Sequence, residues 1–232
     1  MNAISPAHFE DNLPELVKIE QVSDGWIKKY ILTYEKPDGS LYTYESTSRK
    51  PLEAYRNELL CNAQSSSNRH DQNESQATLA STLETRIKNC DAVCIVPELP
   101  DGSYLMIKEF RYPVNGVFAA FPAGLIDEGE DIATTVDREL REETGYRLRK
   151  DIDQPIRALA QPGFSSVGMT DENVLVVFAK VEKAGDAHPE SNELIESFIL
   201  PGDSIRNFLD TTTYFLGTRV QLLLELLASQ RS

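Results

Sequence analysis

Hydrophobic and polar positions alternate along residues 17–47, VKIEQVSDGWIKKYILTYEKPDGSLYTYEST. β-Branched and aromatic side chains recur at every second place, and Pro37-Asp38-Gly39 separates two such runs. This pattern predicts antiparallel strands joined by a turn. Residues 52–62, LEAYRNELLCN, predict a short amphipathic helix. Residues 64–79, QSSSNRHDQNESQATL, offer few apolar side chains and predict a mobile insert. From Asp91 the pattern changes. DAVCIVPEL and SYLMIKEFRY flank Pro100-Asp101-Gly102 and predict a hairpin of two buried strands. A short run, VFAAF, follows a loop through Pro113 and Gly116 and ends at Pro122-Ala123-Gly124. Ile132, Ala133, Val136 and Leu140 fall at helical spacing within 132–144. Residues 157–160, 174–181 and 196–200 predict further strands, and 216–227, LGTRVQLLLELL, a final helix. The order predicts an α/β fold with a mixed sheet covered by helices, preceded by a small antiparallel β domain. Its expected boundaries are 1–50 for the β domain, 51–90 for the helix and insert, and 91–232 for the main domain.

Composition narrows the picture little. The chain has 232 residues, enough to bury a real core. Its formal net charge is −14, which argues against non-specific binding to nucleic acid or an anionic membrane. It also means that a polyanionic substrate needs a metal ion or an arginine to approach. Cys61, Cys90 and Cys94 are too few and too irregular for a disulfide framework or a zinc site, and predict reduced thiols in a cytoplasmic protein. The first residues lack the basic-then-apolar pattern of a signal peptide. No apolar run approaches the ~18 residues of a membrane span.

The helix at 132–144 carries the chemistry. Glu139 and Glu143 lie one turn apart and share a face, with Glu142 beside them. A run such as RELREE is in general a solvated helix face. Three clustered acids also suit a hard divalent cation, which takes oxygen ligands and leaves room for water and phosphate. Arg138, four residues before Glu142, is placed to orient it or to pair with Glu130.

The surroundings of this run decide between the two readings. Gly124, Glu130, Arg138, Glu139, Glu142, Glu143 and Gly145 match all the fixed positions of G-x5-E-x7-R-E-U-x-E-E-x-G-U, where U is bulky and apolar. At roughly 7% per residue type, a chance match in the chain is on the order of one in a million. The pattern resembles the signature of the Nudix hydrolases; Tyr146 stands at the last U position, usually aliphatic. FRYPVNG, PAGLID and the later PGF resemble the ADP-ribose pyrophosphatase branch, as does Pro162 beyond the signature.

The resemblance implies a Nudix α/β/α sandwich and Mg²⁺-dependent hydrolysis of a nucleoside diphosphate sugar. ADP-ribose would give AMP and ribose 5-phosphate. It implies two or three Mg²⁺ (or Mn²⁺) ions held by Glu139, Glu143, Glu142 and the Ala123 carbonyl, with Gly124 allowing a close backbone approach. It implies a general base on a late loop: Glu193 first, then Glu190, then Glu172. Arg138 joins Glu193 and Glu142 in the catalytic set. Arg111 and Arg49 match positions that hold phosphate and ribose oxygens, and Gly163 lines the substrate. Trp26 and Tyr44 would sandwich the adenine, one ring from each protomer of a homodimer. Ala120 departs from the branch, where a glutamate often precedes FPAG and helps bind substrate. That departure keeps open another nucleoside diphosphate derivative. A module that senses ADP-ribose without cutting it is the alternative from another class.

Overall fold

The computed structural model describes residues 12–67, 84–189 and 193–231, and of residues 64–67 the backbone alone. The chain divides into two compact units, Met1–Glu84 with Phe164–Glu172, and Thr85–Gly163 with Asn173–Ser232.

In the first unit the alternating run becomes three antiparallel strands, β1 (Glu15–Gln21), β2 (Lys28–Glu35) and β3 (Leu41–Ser48), in that order across the sheet. The turn between β2 and β3 is made by Gly39 at φ 79°, and the Asp38 carboxylate accepts from the Ser40 amide at 2.9 Å. A left-handed φ suits glycine, which has no Cβ to clash. Helix α1 (Leu52–Ser67) lays Tyr55 against Tyr30 and Leu32 to form a small buried core. It runs past the expected end at residue 62 into the polar segment. No glycine or proline interrupts 52–67, and each added residue of a formed helix gains a hydrogen bond. The rest of the expected insert, 68–79, lies outside the described residues. The excursion Phe164–Glu172 is bonded to β3 and the residues after it. The Thr47 amide donates to the Met169 carbonyl at 2.8 Å, and the Ser48 hydroxyl and Lys50 ammonium reach the Asp171 carboxylate at 2.9 and 3.0 Å.

The second unit is built on a mixed sheet. Its strands are β4 (Ala92–Glu98), β5 (Tyr104–Arg111), β6 (Gly116–Ala120), β7 (Ala123–Leu125), β8 (Tyr146–Leu148), β9 (Ile156–Ala158), β10 (Gly163–Phe164), β11 (Asn173–Lys183), β12 (Ile195–Leu200) and β13 (Phe215–Leu216). Along its main path the order is β11-β4-β5-β6-β13, with β12 paired to β5 and β7 to β4. The expected β4–β5 hairpin is narrower than its sequence suggests. The antiparallel register between the two is confined to Glu98 and Tyr104, and β4 instead runs parallel to β11 from Ala92 to Glu98. Ala92 to Val96 are all buried, so β4 has a core on both faces and behaves as an interior parallel strand.

One face of the sheet takes helix α2 (Ile132–Thr144), whose Val136 and Leu140 are fully buried among Val93, Ile95, Leu175 and Val177. Each such side chain stabilises the fold by roughly 1.5–3 kcal/mol through burial. The other face takes α3 (Ile205–Thr211) and α4 (Thr218–Ser229), with Leu223, Leu224 and Leu227 against Cys94, Met106 and Phe121. Helix α3 is absent from the sequence reading, because SIRNFLDTTT is polar and only Ile205 is deeply buried. Cys61, Cys90 and Cys94 are free thiols, and burial raises both Cys90 and Cys94 to about 11. Among the described residues no helix is long and apolar enough to cross a membrane.

Candidate active site

Helix α2 is fixed at both ends by its own sequence. Asp131 caps the first turn by accepting from the Thr134 amide at 2.7 Å, and Gly145 ends the last turn at φ 71°. Because Val136 and Leu140 point into the core, the neighbouring stripe carries Glu139 and Glu143 to the edge of β7. Both are buried, whereas the Glu142 side chain is 43% exposed. The Glu143 carboxylate accepts from the Ala123 amide at 3.3 Å. Gly124 is where the close approach occurs: a Cβ built there would lie 1.9 Å from the Glu139 carboxylate oxygen.

Arg138 ties the cluster together. Its Nε and Nη2 grip both oxygens of Glu130 at 3.0 Å, and Nη2 also donates to the Leu125 carbonyl at 3.0 Å. Its Nη1 donates to Glu139 at 2.7 Å and to Glu142 at 3.2 Å. This planar fork suits a two-point grip on a carboxylate. Bonds from Arg138 and then Thr135 hold the Glu130 carboxyl down to about 2. Glu139 moves the other way: burial raises its pKa, more than Arg138 lowers it. Glu143 is pushed well up, first by burial and then by the charges of Glu139, Glu109 and Glu193.

Glu109 and Glu193 both lie outside the signature helix. Glu109 on β5 has a side chain only 13% exposed and pairs with Arg111 at 2.9 Å. Burial raises its pKa, Arg111 lowers it, and Glu193 adds repulsion. The Glu193 charge also raises Glu109, Glu139 and Glu143. Strand β12, which pairs Ile195 with Glu109, and the Phe110 amide, which donates to the Leu194 carbonyl at 3.2 Å, set the chain just after Glu193 beside β5. Glu109 escaped the sequence reading. Its one signal is a carboxylate inside the otherwise apolar strand YLMIKEFR.

The other expected site residues are distributed as follows. Arg111 is in the second unit with a half-exposed side chain. Gly163 is exposed and has open space where a Cβ would stand. Trp26, Tyr44 and Arg49 lie in the first unit. Trp26 is 73% exposed, and the Tyr44 hydroxyl donates to the Gly168 carbonyl at 2.9 Å. Glu172 is in the first unit too, ion-paired with Arg49 and accepting from the Ser165 hydroxyl. Glu190 lies outside the described residues.

The donor set is all oxygen and carries more negative charge than Arg138 and Arg111 balance, which is the chemistry of a site for a hard divalent cation. Gly124 adds the space a bulkier residue would fill. As the side chains stand, no three of His, Cys, Asp or Glu among the described residues are drawn close enough together to hold an ion. Glu139 is turned to Arg138 and Glu143 to the Ala123 amide.

The NUDIX domain model matches residues 88–212. The chain belongs to the Nudix family. It is 40% identical over 123 residues to an ADP-ribose pyrophosphatase of Saccharomyces cerevisiae, covering 50% of this chain and 52% of that protein. The chain therefore matches about half the length of this yeast relative. It is 30% identical over 201 residues to an ADP-sugar pyrophosphatase of Mus musculus, covering 82% of this chain and 75% of that one. Among solved structures it resembles an ADP compounds hydrolase, with TM-score 0.63 and 19% identity over 94% of this chain and 95% of the other. That likeness supports the Nudix α/β fold. Nudix hydrolases generally use divalent metal ions, in keeping with the oxygen-rich cluster on this Nudix helix.

Proposed function

We propose that the chain is a Mg²⁺-dependent pyrophosphatase of nucleoside diphosphate sugars, acting on ADP-ribose to release AMP and ribose 5-phosphate. The observation that carries this reading is the placing of Glu139 and Glu143 on one face of α2 beside Ala123 and Gly124. Glu139, Glu143, Glu142 and the Ala123 carbonyl would hold the cations. Two or three divalent cations there would neutralise phosphate charge and lower the pKa of the attacking water. Arg138 fixes the orientation of Glu139 and Glu142 through its bonds to both. Glu193 takes the proton from the attacking water, a role supported by the pairing of β12 with β5, which sets Ile195 opposite Glu109. Arg111, beside Glu109, offers its fork to the diphosphate. The exposed rings of Trp26 and Tyr44 are the surfaces for adenine, supplied from two protomers of a homodimer, with Arg49 toward the ribose. A cytoplasmic setting, with three free thiols, belongs to the same proposal.

The test is phosphate release through a coupled phosphatase, with ADP-ribose, ADP-glucose, UDP-glucose, GDP-mannose and NADH as substrates, with and without Mg²⁺. ADP-ribose turnover that requires Mg²⁺ is expected, reduced at least about 100-fold by Glu193→Gln or Glu143→Gln in a folded protein. Tight ADP-ribose binding with no turnover of any substrate would replace the enzyme with a sensing module. Preference for another substrate would leave the reaction and change its substrate.

A further inference from the structure

We infer that Thr135 is a positioning residue: its buried hydroxyl fixes the Glu130 carboxylate, and through it the Arg138 guanidinium that holds Glu139 and Glu142. The inference rests on the hydrolase reading above. It names a residue among the seven unspecified positions between Glu130 and Arg138 of the signature. Thr135 is fully buried in the first half of α2. A hydroxyl removed from water needs a partner. Two oxygens are in reach, Oε2 of Glu130 at 2.8 Å and the Asp131 carbonyl at 3.2 Å. A threonine inside a helix commonly turns back to the carbonyl four residues before it, here that of Asp131. Three observations favour Glu130 instead. It is the shorter contact. The Asp131 carbonyl already accepts from the Thr135 amide at 3.0 Å. Glu130 is held ionised, so it can only accept, and the one hydroxyl proton must lie between the two side chains.

The result is a three-point hold on one carboxylate. Arg138 Nε donates to Oε1 and Nη2 to Oε2, both at 3.0 Å, and the Thr135 hydroxyl donates to Oε2. Two bonds from one planar guanidinium fix a carboxylate only relative to that guanidinium. Glu130 itself precedes the helix, so the pair needs a tie to α2. Thr135 supplies it from a short, β-branched side chain with few rotamers. The other backbone anchor of the pair is the Leu125 carbonyl, which meets Nη2 at 3.0 Å. Residues 135, 138, 139 and 142 follow one another along one stripe of the helix. A line of hydrogen bonds runs from Thr135 to Glu130, to Arg138, and on to Glu139 at 2.7 Å and Glu142 at 3.2 Å. Without the hydroxyl, the Glu130–Arg138 pair is free to shift, and Glu139 shifts with it.

The test compares Thr135→Val, which keeps the shape and loses the hydroxyl, with Thr135→Ser, which keeps the hydroxyl. Circular dichroism melting establishes that each variant folds, and Thr135→Ala takes the place of the valine variant if that one does not. The first reading is exchange of the Arg138 Nε proton with water, followed by NMR on the full chain labelled with ¹⁵N-arginine. Its signal is assigned by its loss in Arg138→Lys. The second is kcat and KM on the best substrate of the coupled assay. In Thr135→Val, exchange is expected to quicken and kcat to fall, each at least about tenfold, with KM changed by less than about twofold. Thr135→Ser is expected to bring both within about threefold of wild type. Wild-type exchange or wild-type kcat in the folded valine variant overturns the inference. So does a serine variant as impaired as the valine one, which would make Thr135 a packing residue. A wild-type protein that turns over no nucleotide sugar defeats the hydrolase reading itself, and exchange of the Arg138 proton then decides alone whether Thr135 holds the guanidinium.

Discussion

Gly124 and Arg138 show how single residues set the chemistry of the cluster. Arg138 donates to Glu130, Glu139, Glu142 and the Leu125 carbonyl, so four groups, on β7, before the helix and on it, depend on one guanidinium. Gly124 acts by what it lacks. Its backbone is not in the left-handed region, so alanine there suffers no dihedral strain, but its Cβ would lie 1.9 Å from the Glu139 oxygen. A carboxylate at the end of a flexible side chain yields more readily than backbone does. Gly124→Ala should therefore keep a near-wild-type melting temperature while displacing Glu139, with turnover falling by about 100-fold, the cost of misplacing a reacting group by an ångström or so. Full activity in that variant would mean that Glu139 has room elsewhere and that its place beside Gly124 is incidental.

At the scale of the element, the signature helix is tied to the segment that follows β11. The Gly145 carbonyl accepts from the amides of Ala184 and Gly185 at 2.9 and 3.0 Å, and the Glu142 carbonyl accepts from His188 at 2.8 Å. The Lys183 ammonium reaches the Thr144 carbonyl at 3.2 Å. Two of the last carbonyls of α2, those of Glu142 and Thr144, are thus satisfied by this segment, as is that of the capping Gly145. Gly145 permits it twice over. It sits at φ 71°, and a Cβ there would lie 2.4 Å from the Gly185 carbonyl oxygen. Gly145→Ala should lower stability by about 1–3 kcal/mol from backbone strain alone, read from urea unfolding. Gly185→Ala, with nothing within 4 Å of its Cβ, serves as the control and should change little. Equal stability of the two variants would show that the cap is not strained by a side chain.

At the scale of the whole molecule, the chain leaves the second unit for nine residues and returns. Phe164–Glu172 belongs with the N-terminal sheet although it lies between two stretches of the second unit. Its bonds run to Tyr44, Thr47, Ser48, Arg49 and Lys50, so its order depends on β3 and the residues just after it. A fragment of residues 85–232 lacks all of these partners. Limited proteolysis should cut that fragment first within 164–172, whereas the full chain should be protected there. Equal cleavage of the two would show that the segment is ordered without the N-terminal sheet.

The sequence by itself determined the helix of the signature, its caps, the alternating N-terminal strands and the acids at 139, 142 and 143. These rest on contacts within a few residues, where helical and strand periods bring side chains together without help from the rest of the chain. The parallel pairing of β4 with β11, helix α3, and the joining of 164–172 to β3 are decided by contacts between segments far apart in sequence. Glu109 belongs with these. Thirty-four residues separate it from Glu143, and no local spacing records that the charge of a strand residue reaches a carboxylate of the helix. Short-range order was written in the pattern of residues, while the surroundings of the acids were fixed only when the sheet brought distant segments together.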